Sequence, residues 1–462
     1  MQREHFNTRL GFLLVAAGCA IGLGNIWRFP WLVGEYGGGF FVLLYVIFLI
    51  LCGMPIMTAE FAVGRASQKS VARSFHVLQP EGSKWSVYSY FAMGGNYMLM
   101  MFYTTVAGWM LAYLFKAFSG SFIGATPDEI GGLFGAHVGT PTQNAGWMIA
   151  ICVLGFAIVA LGLQKGVEKI TKACMSLMFL LLIILIVRAV TLPGAIEGLK
   201  FFLIPSAEAF ETHSFGSIAN AALGQAFFSL SLGMGSMAIF GSYIKKEKRL
   251  AGESVNVILL DTCAAIGAGL MIFPTCFAFD MEPGAGPGLI FMTLPNIFGA
   301  MPGGYVWAIL FFFFMTFAAL STVIAVFENI VAFALDLTSW TRMKAVAVNA
   351  VAVILLSLPC ALGFNIWAEP LTPLLSWLGE GAVVIDFEDF IVSNHILPIG
   401  SAIYLLFCMS KKGWGFDNFL AEANAGDSGM RFPAKLRWFF TWVLPVVIAI
   451  VFIMGYVGMF FS

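Results

Sequence analysis

An apolar run near the N-terminus is interrupted where a membrane-crossing helix would be most regular. The stretch Gly18-Cys19-Ala20-Ile21-Gly22-Leu23-Gly24-Asn25-Ile26-Trp27-Arg28 places three glycines, an amide and an arginine at what would be bilayer depth. Glycine costs a helix about 1 kcal/mol relative to alanine. Irregular backbone survives inside a membrane only where protein buries it or water lines it. The pattern predicts a broken span whose freed peptide groups and nearby charge form a binding site. Taken alone, the glycines are also compatible with close packing against a neighbouring helix.

Composition puts this run in a membrane. Of 462 residues, 60% are hydrophobic and 11% charged, whereas a soluble domain carries about a quarter charged residues. Apolar stretches of about 20 residues mark spanning helices. Eleven are predicted, at 10–31, 38–62, 87–118, 145–163, 169–191, 216–243, 253–279, 304–337, 345–363, 383–409 and 436–461. Several exceed the minimum length and predict tilt or protrusion. The first lacks the small-residue cleavage site of a signal peptide. Of the 24 Lys and Arg, only Arg28, Lys116, Arg188 and Lys200 fall outside the N-terminal tail and the loops on its side of the membrane. Basic residues mark the cytoplasmic side, so the N-terminus is expected inside and, with an odd span count, the C-terminus outside. The eight cysteines lie in or beside apolar runs without a C-x-x-C pair and read as small buried hydrophobes. Nothing in the charge pattern suggests nucleic-acid binding.

The first break has an echo. The sixth predicted span contains Ser229-Leu230-Ser231-Leu232-Gly233-Met234-Gly235-Ser236, again closely spaced glycines and small polar residues midway along an apolar helix. Five spans separate the two, so the second half would run inverted relative to the first. Paired interrupted spans at matching positions point to a midplane transport site, a pattern known in part from the family that the chain resembles.

That resemblance rests on motifs along the chain. Arg3-Glu4-His5-Phe6-Asn7-Thr8-Arg9-Leu10-Gly11, followed by G-C-A-I-G-L-G-N-I-W-R-F-P, resembles the first helix of the neurotransmitter:sodium symporters. The likeness continues through Gly37-Gly38-Gly39, Gly53-Met54-Pro55 and Glu60-Phe61-Ala62-Val63-Gly64-Arg65. It returns at Gly224-Gln225-Ala226-Phe227-Phe228-Ser229-Leu230-Ser231-Leu232-Gly233 and at Ala318-Ala319-Leu320-Ser321-Thr322. It implies an all-α polytopic fold of the eleven-helix bacterial type. Residues 1–462 would form one transporter domain, with inverted five-helix repeats at 10–191 and 216–409 and an extra helix at 436–461. It also implies a bacterial inner-membrane location, alternating access and no enzymatic activity or organic cofactor.

By the same resemblance, two Na⁺ ions accompany an amino-acid substrate. Sodium is a hard cation and takes oxygen ligands, as other hard cations do. One site would use the carbonyls of Gly18, Ile21 and Ala318 with the hydroxyls of Ser321 and Thr322. The other would use Ala20, Asn25 and Ser229, with Asp261 beside them and the substrate carboxylate completing the shell. That carboxylate would meet the amides of Leu23 and Gly24, beside Gly22, and the hydroxyl of Tyr103. The ammonium would meet carbonyls of Ala20, Phe228 and Ser231. Leu99, Val106, Phe228, Ser231, Met234 and Val326 would line a largely apolar side-chain pocket, which favours a hydrophobic or aromatic amino acid. Read without the resemblance, Ser321 and Thr322 are also compatible with bonding back to their own helix.

Asp261 stands inside the seventh span. A membrane-embedded carboxylate is a functional candidate in its own right. Chloride-dependent relatives use positions matching Tyr45, Gln225 and Ser229 plus a serine that is Ala265 here. The expectation is that Asp261 supplies the negative charge, making transport chloride-independent, and that it could carry a proton on the return step. Arg28 and Asp389 match an outer gating pair, with Tyr103 and Phe228 as a lid beneath. Arg3 and Asp336, with Tyr243, match an inner one. Phe6 stands where tryptophan is usual. Ser176 stands where many relatives have a proline ten residues after Gly166, which puts unwinding of the fifth helix in question. A proton-coupled or exchange-type transporter of the same fold is the nearest alternative, and it would lack the sodium ligand set.

Overall fold

The computed structural model describes residues 4–207, 209–281, 287–379 and 381–460. The first expected span is divided. Helix α1 (Arg9–Ala20) stops at Ile21, and α2 (Gly24–Glu35) resumes at 56° to it. Long apolar helices follow as α3 (Gly39–Ser67), α4 (Trp85–Phe118), α5 (Pro141–Ala160) and α6 (Leu163–Val190). The sixth expected span is divided more widely, into α7 (Phe215–Ser229) and α8 (Ser236–Ser242). Then come α9 (Leu250–Ala278), α10 (Gly304–Leu337), α11 (Arg342–Leu362), α12 (Val384–Met409) and α13 (Ala434–Met454). Among the described residues, nine unbroken helices are long and apolar enough to cross a membrane, and α1 with α2 make a tenth, bent span. The sixth expected span is missing from that count because residues 230–235 leave it in two short pieces.

Both breaks follow from local chemistry. Ser231, Gly233 and Gly235 all have positive φ, at 50°, 86° and 74°, a region that costs a residue with a Cβ. The peptide groups freed there are taken up by neighbours. Gly233 N–H donates to buried Glu60 at 2.5 Å, the Gly233 carbonyl accepts from the Tyr88 hydroxyl, and the Met234 carbonyl accepts from Asn96 Nδ2 at 2.9 Å. Backbone polar groups buried in a membrane need such partners.

A second irregularity recurs. Four spans and the short helix Leu289–Ala300 contain a five-residue wide turn that ends two residues before a proline: 24–28 before Pro30, 49–53 before Pro55, 289–293 before Pro295, 392–396 before Pro398 and 439–443 before Pro445. In each, the residue preceding the proline donates its N–H five positions back, as Leu397 does to Val392. Proline has no N–H, and its ring crowds the carbonyl four residues earlier. A π-type turn absorbs both problems without ending the helix. Pro274 and Pro359 sit in helices without such a turn, so proline permits the feature rather than compelling it.

Helices α4 and α10 are the innermost, with 78% of their most apolar windows buried, against 18% for α13. In the loop between α4 and α5, the helix Pro127–Gly139 packs His137 against Tyr113 near the end of α4, at 1% exposure. Burial, with Lys116 adding to it, pushes the His137 ring down to about 4. An unfolded histidine takes its proton near 6.5, so the unfolded chain binds more protons between those values. Stability is therefore expected to fall as pH drops from 6.5 to 4. Melting temperatures of purified protein between pH 7 and 4 measure this, and His137→Leu should flatten the slope.

Candidate functional site

The two breaks lie side by side, and α10 packs against the first of them. Four contacts link all five oxygens expected of one cation site. Ser321 Oγ lies 3.3 Å from the Gly18 carbonyl and 2.8 Å from that of Ala318. Thr322 Oγ1 lies 3.0 Å from the Gly18 carbonyl and 3.3 Å from that of Ile21. Gly18, Ile21, Ala318, Ser321 and Thr322 are thus one buried oxygen cluster. Ser321 does bond back to its own helix, through Ala318, but Thr322 reaches only across to α1 in these contacts. The tight fit is local: a Cβ on Gly18 would lie 3.1–3.3 Å from Thr171, Ser321 and Met175.

The second cluster is built around Asp261. Asn25 Nδ2 donates to Asp261 Oδ1 at 2.7 Å and to its backbone carbonyl at 3.2 Å. Ser229 Oγ donates to Asp261 Oδ2 at 3.2 Å and lies 3.0 Å from the Tyr45 hydroxyl. Asp261, Asn25, Tyr45 and Gln225 are fully buried. Gln225 Nε2 donates to the Gly24 carbonyl at 2.9 Å. Among the described residues, Asn25 Oδ1 and Gln225 Oε1 have no hydrogen-bond partner. A buried acceptor without a donor is costly, and beside a carboxylate it suits a small hard cation.

A cavity of about 20 Å³ lies between these clusters, lined by Cys19, Ala20, Gly22, Leu23, Gly24, Leu99, Tyr103, Phe228, Ser231, Met234, Thr322, Val392 and Leu397. It has room for about one water. Glycine permits the close approach here: a Cβ on Gly22 would lie 2.6 Å from the Tyr103 hydroxyl, and one on Gly24 2.7 Å from the Phe228 ring. The Tyr103 hydroxyl accepts from Leu23 N–H at 3.2 Å, and Ser231 Oγ donates to the Cys19 carbonyl at 3.3 Å. Tyr103 and Phe228 also line a larger vestibule of about 450 Å³, walled by Trp27, Arg28, Trp31, Val106, Asp386 and Asp389 among others.

The comparisons with known proteins agree on one family. The sodium:neurotransmitter symporter family model matches residues 3–126 and 137–459. This chain belongs to that family. It is 34% identical to an uncharacterized sodium-dependent transporter, YhdH, of Bacillus subtilis, with 96% of each chain covered. It is 31% identical to an uncharacterized sodium-dependent transporter of Haemophilus influenzae, with 98% of each covered. A crystal structure of MhsT in complex with L-phenylalanine is 38% identical, has a TM-score of 0.86, and is matched over 98% of this chain and 100% of that one. The symporter family is one of membrane transporters rather than enzymes.

Two expected pocket residues are not on the wall of this cavity. Val106, three residues beyond Tyr103 on α4, lines the vestibule that Leu23, Gly24, Tyr103 and Phe228 also line. Val326 is fully buried in α10 and is absent from the cavity wall. The cavity-lining residues that sequence reasoning missed are Cys19, which stands between the expected ligands Gly18 and Ala20, and Val392 and Leu397 of α12; Thr322, expected at the cation site, lines the cavity as well.

Arg28 and Asp389, the expected outer pair, are linked indirectly. Arg28 Nη1 donates to Ser393 Oγ at 3.3 Å, and Ser393 Oγ donates to Asp389 Oδ1 at 2.9 Å. The Arg28 guanidinium lies 4.5 Å from the centre of the Phe228 ring, within range of a cation–π attraction. Of the expected inner pair, Arg3 lies outside the described residues. Asp336 accepts from Ser70 N–H at 2.7 Å and lies 3.4 Å from Lys69 Nζ. The Tyr243 hydroxyl donates to Glu328 at 2.8 Å, and Glu328 pairs with Arg342. Phe6 packs edge-on against Tyr243 at 5.6 Å. The N-terminal start of α6 is irregular even without the usual proline: 163–168 is a wide turn entered through Gly162 at φ 92°. Its Glu168 holds the N-terminal segment by accepting from Asn7 N–H and Thr8 N–H, at 2.8 and 3.0 Å.

Proposed function

We propose that this protein is a sodium-coupled symporter that carries a neutral, hydrophobic or aromatic amino acid into the cell by alternating access. The observation that carries this reading is the convergence of two oxygen clusters on the amides of the α1–α2 break, where Leu23 N–H meets the Tyr103 hydroxyl. Helix N-termini carry partial positive charge, so Leu23 and Gly24 N–H would receive the substrate carboxylate, with Tyr103 donating beside them. Carbonyls of Ala20, Phe228 and Ser231 would receive the ammonium. One Na⁺ would bind at Gly18, Ile21, Ala318, Ser321 and Thr322. A second would bind at Ala20, Asn25 and Ser229, with Asp261 balancing its charge in place of chloride. The wholly oxygen-based first cluster supports sodium over a proton as the coupling ion.

Residues 10–191 and 216–409 would be inverted repeats, rocking about the two breaks, and 436–461 an addition. The membrane would be a bacterial inner membrane, with the N-terminus cytoplasmic. The cavity holds about one water, so substrate entry requires Phe228 and Tyr103 to part and Met234, which is flexible, to yield. A ligand favours whichever state it binds better, so occupancy would draw Arg28 and Asp389 together over the lid.

The test is binding of a panel of labelled amino acids to purified protein in Na⁺ and in K⁺. Retention of a hydrophobic member in Na⁺ alone is expected. Equal retention in K⁺ would sink the reading.

A further inference from the structure

Val392 and Leu397 reach the central cavity by a route that ordinary helix geometry forbids. Residues five apart on an α-helix are rotated by about 140° and face different neighbours. In α12 the segment 392–396 is a wide turn, with Leu397 N–H donating to the Val392 carbonyl. A π-type turn brings positions five apart nearly into line, so both side chains present to one face. Both are buried, and both line the cavity.

The backbone behind them cannot come closer. A Cβ on Gly400 would lie 1.8 Å from the Gly233 carbonyl oxygen, and one on Gly233 would lie 2.3 Å from the Leu397 carbonyl oxygen. Helix α12 is therefore already in backbone contact with the α7–α8 break, and the space left at this wall is set by the two side chains. Val392 is β-branched and stiff. Met234, also in the cavity wall, is unbranched and adaptable. One wall is rigid and the other soft. Ser393, the next residue, bridges Arg28 and Asp389, so the same turn carries a link of the outer gate.

We propose that Val392 and Leu397 are specificity-determining residues that set the longest and broadest substrate side chain the pocket admits. This deepens the amino-acid reading above and rests on it. Closing one methylene's worth of space in an apolar pocket changes discrimination by about 10–200-fold.

The experiment is competition by alanine, leucine, phenylalanine and tryptophan against whichever labelled amino acid the full-length protein retains in Na⁺. Val392→Ala should shift the tryptophan-to-leucine affinity ratio toward tryptophan by about tenfold. Val392→Phe should shift it the other way and spare alanine. Leu355→Ala, at an exposed position of α11, should leave the ratio alone. A Val392→Ala protein that binds with an unchanged ratio overturns the proposal. Should that variant not fold, Val392→Ile and Leu397→Met read the same ratio, and constancy in both also overturns it. A wild-type protein that retains none of the panel rejects the underlying amino-acid reading. A wild-type protein that binds, with ratios indifferent to position 392, rejects only the role of this wall.

Discussion

Sodium-dependent substrate binding is expected to collapse when Ser321→Ala and Thr322→Val are combined. The two hydroxyls are buried and bridge the end of α1 to α10. Valine keeps the shape of threonine, so packing is largely preserved while the oxygen is lost. An interaction between a neutral polar group and a charge contributes about 1.5–3 kcal/mol. Each single change should therefore weaken apparent sodium affinity by about tenfold or more, and the pair by about a hundredfold or more. Sodium titration at saturating substrate measures this. The Gly18 and Ile21 carbonyls lose a donor as well, so melting temperature should be read alongside to separate ion loss from misfolding. A folded double variant with the wild-type sodium midpoint would show that the cluster is only a structural latch.

The breaks were legible because glycine and small polar residues are conspicuous in an apolar helix, and Gly22, Gly24, Gly233 and Gly235 announce both. Asp261 was legible for the same reason: a carboxylate at that depth demands partners, and Asn25 and Ser229 supply them. Val392 and Leu397 were not legible from apolarity, since valine and leucine in a span look like any lipid-facing pair. Pro398 was the available signal. It stands one residue beyond Leu397, as Pro30, Pro55, Pro295 and Pro445 stand beyond the other wide turns. Pro274 and Pro359 show why that signal is incomplete. Whether the chain widens, bends or simply forgoes one hydrogen bond depends on what packs beside it. The position of Val106 and Val326 off the small cavity's wall has a related cause. Helical spacing fixes which face a residue occupies, but the depth at which Phe228 and Tyr103 divide cavity from vestibule depends on tertiary packing. The Ser393 bridge was hidden because a hydroxyl one turn from Asp389 carries no charge to mark it.

Uptake is expected to be equally fast in chloride and in gluconate, and to fall by about a hundredfold or more in Asp261→Asn. Asparagine keeps the size of the side chain and its capacity to bond Asn25 and Ser229, so what it removes is the negative charge. Two sodium ions and a zwitterion would otherwise place two uncompensated positive charges in a medium of low dielectric constant. Breaking a buried charge pair by removing one partner costs about 3–5 kcal/mol, which sets the scale of the loss. Asp261→Ala should differ from Asp261→Asn. It vacates space beside Tyr45, Gln225 and Ser229, the groups that surround the carboxylate or lie next to it. A mobile anion could enter there, so partial recovery in chloride, and none in gluconate, is the expected signature. Wild-type uptake that fails without chloride would mean that Asp261 does not carry the balancing charge. Full activity of Asp261→Asn in gluconate would mean that no balancing charge is needed, and the second sodium ion would then have to be abandoned.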